Sequence, residues 1–256
     1  MKRNPANEQQ PPVVMAYAVS DSSNIPSAPA HPTSSSTAAA ALHQSWPLIN
    51  EQGVRDFLTG HRWPIGLQST VIQSFSRVPI RFFICDDSGS MATNDGHRLL
   101  TDSHNQVKMV NCSRWAELTD SFKFHLGLAN AAGSNVEIRL LNSLAPIRLG
   151  QNADANNAAI VALNDVFNES PGGGTPLCAH IRSVIEQIRV LEPQLRSSGQ
   201  KACVVIATDG ESSDGDIVAA LRPLEQMPVW VVVRLCTDES KIVDYWNNID
   251  GQLELG

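Results

Sequence analysis

An apolar run that ends abruptly in acidic and hydroxyl side chains constrains this chain more than any other feature. Residues 80–85 read Ile-Arg-Phe-Phe-Ile-Cys, and the four large apolar side chains among them predict a strand that is buried on both faces. The chain continues with Asp86, Ser88 and Ser90 at alternating positions, just beyond the carboxyl end of that strand. Hard oxygen ligands of this kind suit a small divalent cation such as Mg2+.

Length, charge and cysteine usage exclude several classes of protein. The 256 residues allow one domain or one domain with tails, and the formal net charge of -7 gives a nucleic-acid partner no electrostatic support. The five cysteines include no Cys-x-x-Cys pair, and four lie in or beside apolar runs, which predicts a reducing, cytoplasmic location. The sequence contains no run long enough to span a membrane and no signal-peptide core at its start, so no membrane span is expected.

The first part of the chain differs in composition from the rest. Residues 1–45 are rich in proline and serine, which predicts a disordered tail. The small apolar island at 13–17 is interpreted as a chance cluster, with a short partner-binding motif as the alternative. Residues 46–76 predict a helical extension packed on the main domain, with one helix at 50–58 and a second opened by Pro64.

Apolar strand patterns and helical patterns alternate from residue 80 onward. This alternation predicts an α/β fold with a doubly wound, mostly parallel central sheet flanked by helices, over residues 77–256. The segment 92–111 predicts a hairpin or a long excursion at the same rim as Asp86. The other expected strands are 136–141, 146–149, 202–207, 229–235 and a last edge strand at 252–255, and the expected helices are 114–130, 153–167, one opened by Pro176, 217–224 and 241–249.

Two later segments supply further oxygen ligands at the ends of predicted elements. One contains Gly174 and Thr175 and precedes a regular helix, and the other contains Asp209 and follows the strand at 202–207. Proteins with a parallel sheet bind small molecules and ions beyond the carboxyl ends of the strands. Asp86 and Asp209 both follow such strand ends. Each segment alone fits a helix cap or a plain turn, but the three together favour a shared site.

Together, Asp86-x-Ser88-x-Ser90, Gly174-Thr175-Pro176 and Thr208-Asp209-Gly210 resemble the von Willebrand factor type A domain with a complete metal-ion-dependent adhesion site. The resemblance covers about residues 79–250. It implies a Rossmann-like fold with strand order 3-2-1-4-5-6, in which the strands carrying Asp86 and Asp209 are central neighbours. The metal ligands it implies are Asp86, Ser88, Ser90, Thr175 and Asp209, which would hold Mg2+, with Mn2+ or Ca2+ as alternatives.

The resemblance implies a protein-protein interaction module and not an enzyme. Two carboxylates offset the double charge of the ion and the hydroxyls add none, so the ion stays electrophilic toward an Asp or Glu of a partner protein. The nearby acids Asp87 and Glu211 would weaken the capture of such an anion. The residues expected to contact the partner are Gly174, Gly210, Glu211 and His97.

The alternative is a metal-dependent hydrolase or phosphatase that uses Asp86 or Ser88 as its nucleophile. Phosphoryl-transfer enzymes of the haloacid dehalogenase type have an Asp-x-Asp motif. In this chain the residue two positions after Asp86 is Ser88 and not an aspartate. The sequence has no Gly-x-Ser-x-Gly motif and no histidine obviously paired with Ser88. Two departures from the adhesion family are the excursion at 92–111 and the expected absence of the final C-terminal helix.

Overall fold

A computed structural model of the chain describes residues 46–101, 106–142 and 145–253. The predicted tail at 1–45, including the apolar island at 13–17, lies outside the described residues, so both interpretations of that region stay predictions. The described part contains seven strands: β1 (Ile80–Cys85), β2 (Gly96–Thr101), β3 (Val107–Cys112), β4 (Asn135–Leu140), β5 (Ile147–Leu149), β6 (Ala202–Thr208) and β7 (Val229–Leu235).

Five of the strands form one mostly parallel sheet, in the order β5-β4-β1-β6-β7. The neighbours β4-β1, β1-β6 and β6-β7 are parallel, and the short β5 runs antiparallel to β4. The prediction that the strands preceding Asp86 and Asp209 are central neighbours is confirmed, because β1 and β6 pair over most of their length. The strands β2 and β3 form a separate antiparallel hairpin, as one of the two interpretations of segment 92–111 predicted.

Seven α-helices surround the sheet in the described part of the chain. Gly133 follows the third of them in the left-handed conformation, with φ 63°, which ends that helix in the usual way. None of the described helices is both long and apolar enough to cross a membrane. The helices are α1 (Glu51–Gly60), α2 (Ile65–Arg77), α3 (Arg114–Ala132), α4 (Ala153–Phe167), α5 (Leu177–Ser197), α6 (Ile217–Leu221) and α7 (Ser240–Asp250).

The core lies on both faces of the sheet. Successive side chains of a strand point to opposite faces, so Phe82 packs with the apolar residues of α5, α6 and α7 while Phe83 packs against α3 and α4. A third cluster joins α1 and α2 to α3. The prediction of a mostly parallel sheet covered by helices on both faces is confirmed, and it explains why β1 and β6 read as nearly continuous apolar runs.

Two predicted elements differ from the structure. The expected helix at 217–224 ends at Leu221 and continues as a 3-10 helix, Arg222–Gln226, which contains Pro223 near its start. The expected edge strand at 252–255 is wrong for Gln252 and Leu253. The Gln252 N–H donates to the Ile249 carbonyl in the turn that ends α7, and residues 254 and 255 lie outside the described residues.

Candidate metal centre

The candidate centre lies where β1 and β6 leave the sheet side by side. Cys85 and Ala207 are paired in the parallel register, so Asp86 and Asp209 follow neighbouring strand ends. The Asp86 N–H donates to the Ala207 carbonyl at 2.8 Å, which extends the ladder by one residue beyond β1. The first and third predicted segments therefore meet at one rim of the sheet.

Asp86 is fully buried, and both of its carboxylate oxygens are held in place. Oδ1 accepts a hydrogen bond from the Ser88 N–H at 2.9 Å, and Oδ2 accepts one from the Thr208 hydroxyl at 2.6 Å. Burial raises the pKa of Asp86 above its ordinary value, although the hydrogen bonds from Ser88 and Thr208 oppose the rise. A cation beside this carboxylate would favour its charged form.

Three further oxygens form a short row beside Asp86. The hydroxyls of Ser88 and Ser90 lie 3.1 Å apart, and the Ser90 hydroxyl donates to Oδ1 of Asp209 at 2.8 Å. Neighbouring oxygens in an octahedral Mg2+ shell, with ligands at about 2.1 Å, are about 3.0 Å apart. The donor types and their spacing both fit neighbouring corners of such a shell.

The segment that carries Thr175 packs against both of the other loops. The Gly172 N–H donates to the Asp87 carbonyl at 2.8 Å, and the Gly89 N–H donates to the Gly173 carbonyl at 3.3 Å. On its other side, the Thr175 N–H donates to the Ser213 hydroxyl at 3.1 Å. Hydrogen bonds therefore join all three predicted segments, and the N–H of Thr175 holds that residue beside the loop after Asp209.

Gly173 is the tightest point of this packing. Its φ is +96°, and a Cβ atom added there would lie 2.3 Å from Oδ1 of Asn142. Only glycine satisfies both the backbone conformation and the close approach. The run of three glycines before Thr175 thus includes one position at which a side chain would displace the loop.

Arg114, at the start of α3, contacts the centre and was missed by sequence reasoning. Its guanidinium is 4% exposed and donates to Asp209 Oδ2 at 2.9 Å, to both carboxylate oxygens of Asp95, and to Glu239 at 2.8 Å. The hydrogen bonds with Asp95 are the main cause that raises the pKa of Arg114. A cation at the first position of a helix is unfavourable to the helix dipole. This unfavourable placement was the sequence signal that Arg114 has acidic partners in the fold.

The two additional acids near the centre, Asp87 and Glu211, both have hydrogen-bonding or ion-pair partners. Asp87 is mostly buried, and its Oδ1 accepts from the backbone N–H and the side-chain amide of Asn142, each at 2.9 Å. Glu211 forms an exposed ion pair with Lys241 at 2.8 Å. Because both carboxylates have their own partners, they oppose the approach of an anion less than their charges alone suggest.

The residues expected to contact a partner fall into two groups. The Gly174 carbonyl accepts from the Asn142 amide, and the Gly210 carbonyl accepts from Nε1 of Trp246. Both glycines, with Glu211, therefore belong to the loops that meet at the candidate centre. His97 is exposed on β2, and its N–H donates to Glu117, so it belongs to the hairpin.

Two aspartates of the loop after β6 cap two different helices. Asp216 caps α6 by accepting hydrogen bonds from the N–H groups of Val218 and Ala219. Asp214 instead accepts from the N–H groups of Cys178 and Ala179 at the start of α5. It thereby ties the loop after Asp209 to the helix that follows Thr175.

The candidate centre differs in composition from a metal site built of His, Cys, Asp and Glu side chains alone. Among the described ranges, no three His, Cys, Asp or Glu side chains are grouped as a metal site of those residue types would require. The set here has two carboxylates and supplies its other oxygens from hydroxyls. A scan against protein-family models and a search of the curated proteins give no match for this chain.

Proposed function

We propose that this chain is a metal-dependent protein-protein interaction module of the von Willebrand factor type A class. In this proposal Asp86, Ser88, Ser90, Thr175 and Asp209 hold Mg2+ and the ion binds an Asp or Glu side chain of a partner protein. The observation that carries the proposal is the row of oxygens from Ser88 through Ser90 to Asp209, at 3.1 and 2.8 Å. The row joins residues that are about 120 positions apart in the sequence, so local turn formation does not explain it.

The order of the strands gives independent support. With the β2-β3 hairpin left out, the sheet strands counted along the chain lie in the order 3-2-1-4-5. This order agrees with the first five positions of the 3-2-1-4-5-6 order that the resemblance implies. The candidate ligands lie beyond the central pair, which is where open α/β sheets bind their ligands.

The chemistry of the surrounding residues favours the capture of an anion. When bound, Mg2+ supplies positive charge and coordination positions that a carboxylate oxygen can take. Ser88 and Ser90 contribute neutral oxygens, and Arg114 shares the negative charge of Asp209. Thr208 holds Asp86 in position without adding charge. The two carboxylates offset the charge of the ion, and its remaining coordination positions stay available to an oxygen of a partner's carboxylate.

The hydrogen bonds at the centre favour binding over the alternative enzyme. A nucleophilic carboxylate must reach the substrate itself, but Asp86 is fully buried and both of its oxygens accept hydrogen bonds. A metal ligand does not need that access, because it can contact Mg2+ through a water of the ion's shell. An activated serine needs a free base, but the Ser88 hydroxyl contacts the Ser90 hydroxyl at 3.1 Å and the Asp86 carboxylate, whose oxygens already accept from the Ser88 N–H and the Thr208 hydroxyl. These surroundings favour the role of a metal ligand over that of a nucleophile for both residues.

The proposal includes a reducing, cytoplasmic location for the protein, which the state of its cysteines supports. All five cysteines fall within the described residues and all five are free thiols. Burial is the main cause that raises the pKa of Cys85, Cys203 and Cys236, so these three thiols are held in their neutral form.

Thermal unfolding with and without a divalent metal ion tests the proposed metal binding. Millimolar Mg2+ or Mn2+ should raise the melting temperature of the wild-type chain, because a ligand that binds only the folded state stabilises it. Asp209→Ala should remove this gain, whereas Asp165→Ala, which removes an exposed aspartate on α4, should keep it. Equal gains in the two variants, or no gain in the wild type, would contradict the proposal.

The partner step needs a separate measurement. Proteins captured by the immobilised wild type with Mg2+ should be released by a chelator and should not bind Asp86→Ala. A partner that binds equally well in the presence of chelator would contradict capture through the ion. Substituting single Asp and Glu residues of that partner then identifies the carboxylate that the ion binds.

A further inference from the structure

The strand β7 forms an edge of the sheet that the described structure leaves open. It pairs with β6 on one side, and no described strand lies on its other side. Its seven residues read Val-Trp-Val-Val-Val-Arg-Leu, with Arg234 as the single charge. Proteins usually protect such an edge with charges, prolines or bulges, because its free backbone groups bind another strand readily.

Two hydrogen bonds at its ends show which backbone groups of β7 face the open edge. The Ala202 N–H donates to the Pro228 carbonyl, and the Cys236 N–H donates to the Thr208 carbonyl. In a parallel ladder the residues that bond to one neighbour recur at every second position, so the even-numbered residues of β7 bond to β6. Val231, Val233 and Leu235 therefore direct their N–H and carbonyl groups outward.

We infer that β7 pairs with β7 of a second copy of this chain, antiparallel, around a two-fold axis at Val232. In this register Val231 of each copy lies opposite Val233 of the other. Both residues present outward N–H and carbonyl groups, so each such pair exchanges two hydrogen bonds. The two five-stranded sheets become one continuous sheet across the interface. Such an interface is closed, because each copy uses the same edge.

The side chains of β7 are self-complementary in this register. Val232 is 43% exposed, and at the axis the two copies of Val232 form a non-hydrogen-bonded pair, in which side chains are closest. Trp230 of each copy lies opposite Arg234 of the other, an arrangement that allows a cation-π contact. The two arginines do not face each other, so the register brings no like charges together.

The residues beside β7 are complementary in charge as well. Lys201 lies over the Trp230 ring, 5.2 Å from its centroid, and Glu117 pairs with Arg234 at 3.4 Å. The two-fold axis is perpendicular to the sheet, so Trp230 of one copy and Arg234 of the other point to the same face. Glu117 of one copy therefore approaches Lys201 of the other, an attractive pair that favours a second copy over an unrelated strand.

Sedimentation velocity of the full chain tests this interface, with chelator and reductant present so that the metal centre and disulfides play no part. The wild type should form a dimer that dissociates on dilution. Val232→Asp places two carboxylates opposite each other and should weaken dimerisation by at least about tenfold. The control Val190→Asp, at a valine 79% exposed on α5, should dimerise like the wild type. A wild type that stays monomeric at near-millimolar concentration would overturn the inference, as would equal behaviour of the two variants.

A cross-linking experiment covers the case in which Val232→Asp fails to fold. Cα atoms of a non-hydrogen-bonded antiparallel pair are about 4.5 Å apart, within the range that a disulfide spans. Mild oxidation of Val232→Cys should therefore give a covalent dimer in higher yield than oxidation of Val190→Cys or of the wild type. Equal yields from the three proteins would overturn the two-fold register. Amide exchange of Val231 and Val233 that does not change with protein concentration would overturn it as well.

Discussion

The Arg114 guanidinium donates to Oδ2 of Asp209 at 2.9 Å, while Oδ1 of the same carboxylate accepts from the Ser90 hydroxyl at 2.8 Å. One carboxylate thus divides its two oxygens between a buried cation and the row of candidate ligands. This division leaves Oδ1 as the oxygen facing the candidate centre, and it makes Arg114 the residue that balances Asp209 when no ion is bound.

We expect Arg114→Gln to make the protein less stable but more responsive to Mg2+. Removing one partner of a buried ion pair leaves the other uncompensated and costs about 3–5 kcal/mol of unfolding free energy. A bound cation would replace part of the lost charge, so the gain in melting temperature with Mg2+ should exceed that of the wild type. Urea unfolding with chelator and with Mg2+ measures both effects.

The control for Arg114→Gln is Arg189→Gln, which breaks an exposed pair with Glu186. Exposed ion pairs contribute about 0–1 kcal/mol, so this variant should behave nearly like the wild type under both conditions. A gain with Mg2+ in Arg114→Gln that is no larger than that of the wild type would show that Arg114 does not balance the charge of Asp209.

Thr208→Val should destabilise the protein and weaken metal binding together. Thr208 is fully buried, and its hydroxyl holds Oδ2 of Asp86 at 2.6 Å. Hydrogen bonds to charged groups contribute about 1.5–3 kcal/mol, so the unfolding free energy should fall by that amount. Thr119→Val is the control, because the Thr119 hydroxyl donates to a neutral carbonyl and its loss should cost only about 1 kcal/mol.

Calorimetric titration with Mn2+ separates the two consequences of Thr208→Val. Thr119→Val should bind the ion like the wild type, while Thr208→Val should bind it more weakly because Asp86 is no longer fixed. Equal affinities in the two variants would mean that the position of Asp86 does not matter for binding.

Gly173→Ala should disturb the centre far more than Gly172→Ala. The first places a Cβ atom against the Asn142 side chain at a backbone φ of +96°, and the second meets nothing within 4 Å. Strain of this kind costs about 1–3 kcal/mol, whereas exposed substitutions usually stay within about 0.5 kcal/mol. Thermal melts with and without Mg2+ should show a lower melting temperature and a smaller Mg2+ response for Gly173→Ala alone.

Glu137 should make a measurable contribution to the stability of the protein in acid. It is 2% exposed on β4. Burial disfavours its charge, but hydrogen bonds from Gln187, Arg148 and Arg139 outweigh this and hold the pKa of Glu137 below its ordinary value. The unfolded state therefore binds the proton more tightly. The stabilisation is fully present above about pH 4.5 and is lost as the pH falls through the lower, folded-state pKa.

The variant Glu137→Gln isolates this contribution. It should be less stable than the wild type near neutral pH, and the two unfolding free energies should converge as the pH falls from about 6 to about 3. Urea unfolding at a series of pH values measures the difference. A difference that stays constant over this range would show that the Glu137 carboxylate is not the group that titrates.

Much of the fold was predictable because its information is local in the sequence. The apolar runs of β1 and β6 and the helical spacing of α5 each predict one element, and their alternation predicts a mostly parallel sheet. The antiparallel direction of β5 was not predicted. The connection from Leu140 to Ile147 is too short for a crossover between parallel strands.

The candidate centre was predictable only in part, for the same physical reason. Asp86, Ser88 and Ser90 lie together in the sequence, and strand order brings Asp209 beside them. The contacts of Arg114 with Asp95, Asp209 and Glu239 join residues 19, 95 and 125 positions away. The sequence marks Arg114 only as a cation at the start of a helix, and which acids it meets depends on the completed tertiary structure.

The contact between Trp246 and the loop after β6 has a practical consequence. Nε1 of this indole donates to the Gly210 carbonyl at 3.2 Å, one residue beyond Asp209. Indole fluorescence responds to the polarity and hydrogen bonding of its surroundings, so a rearrangement of that loop changes the emission of Trp246. The molecule therefore carries an intrinsic optical reporter next to its candidate ligands, and events there can be followed in real time without attaching a dye.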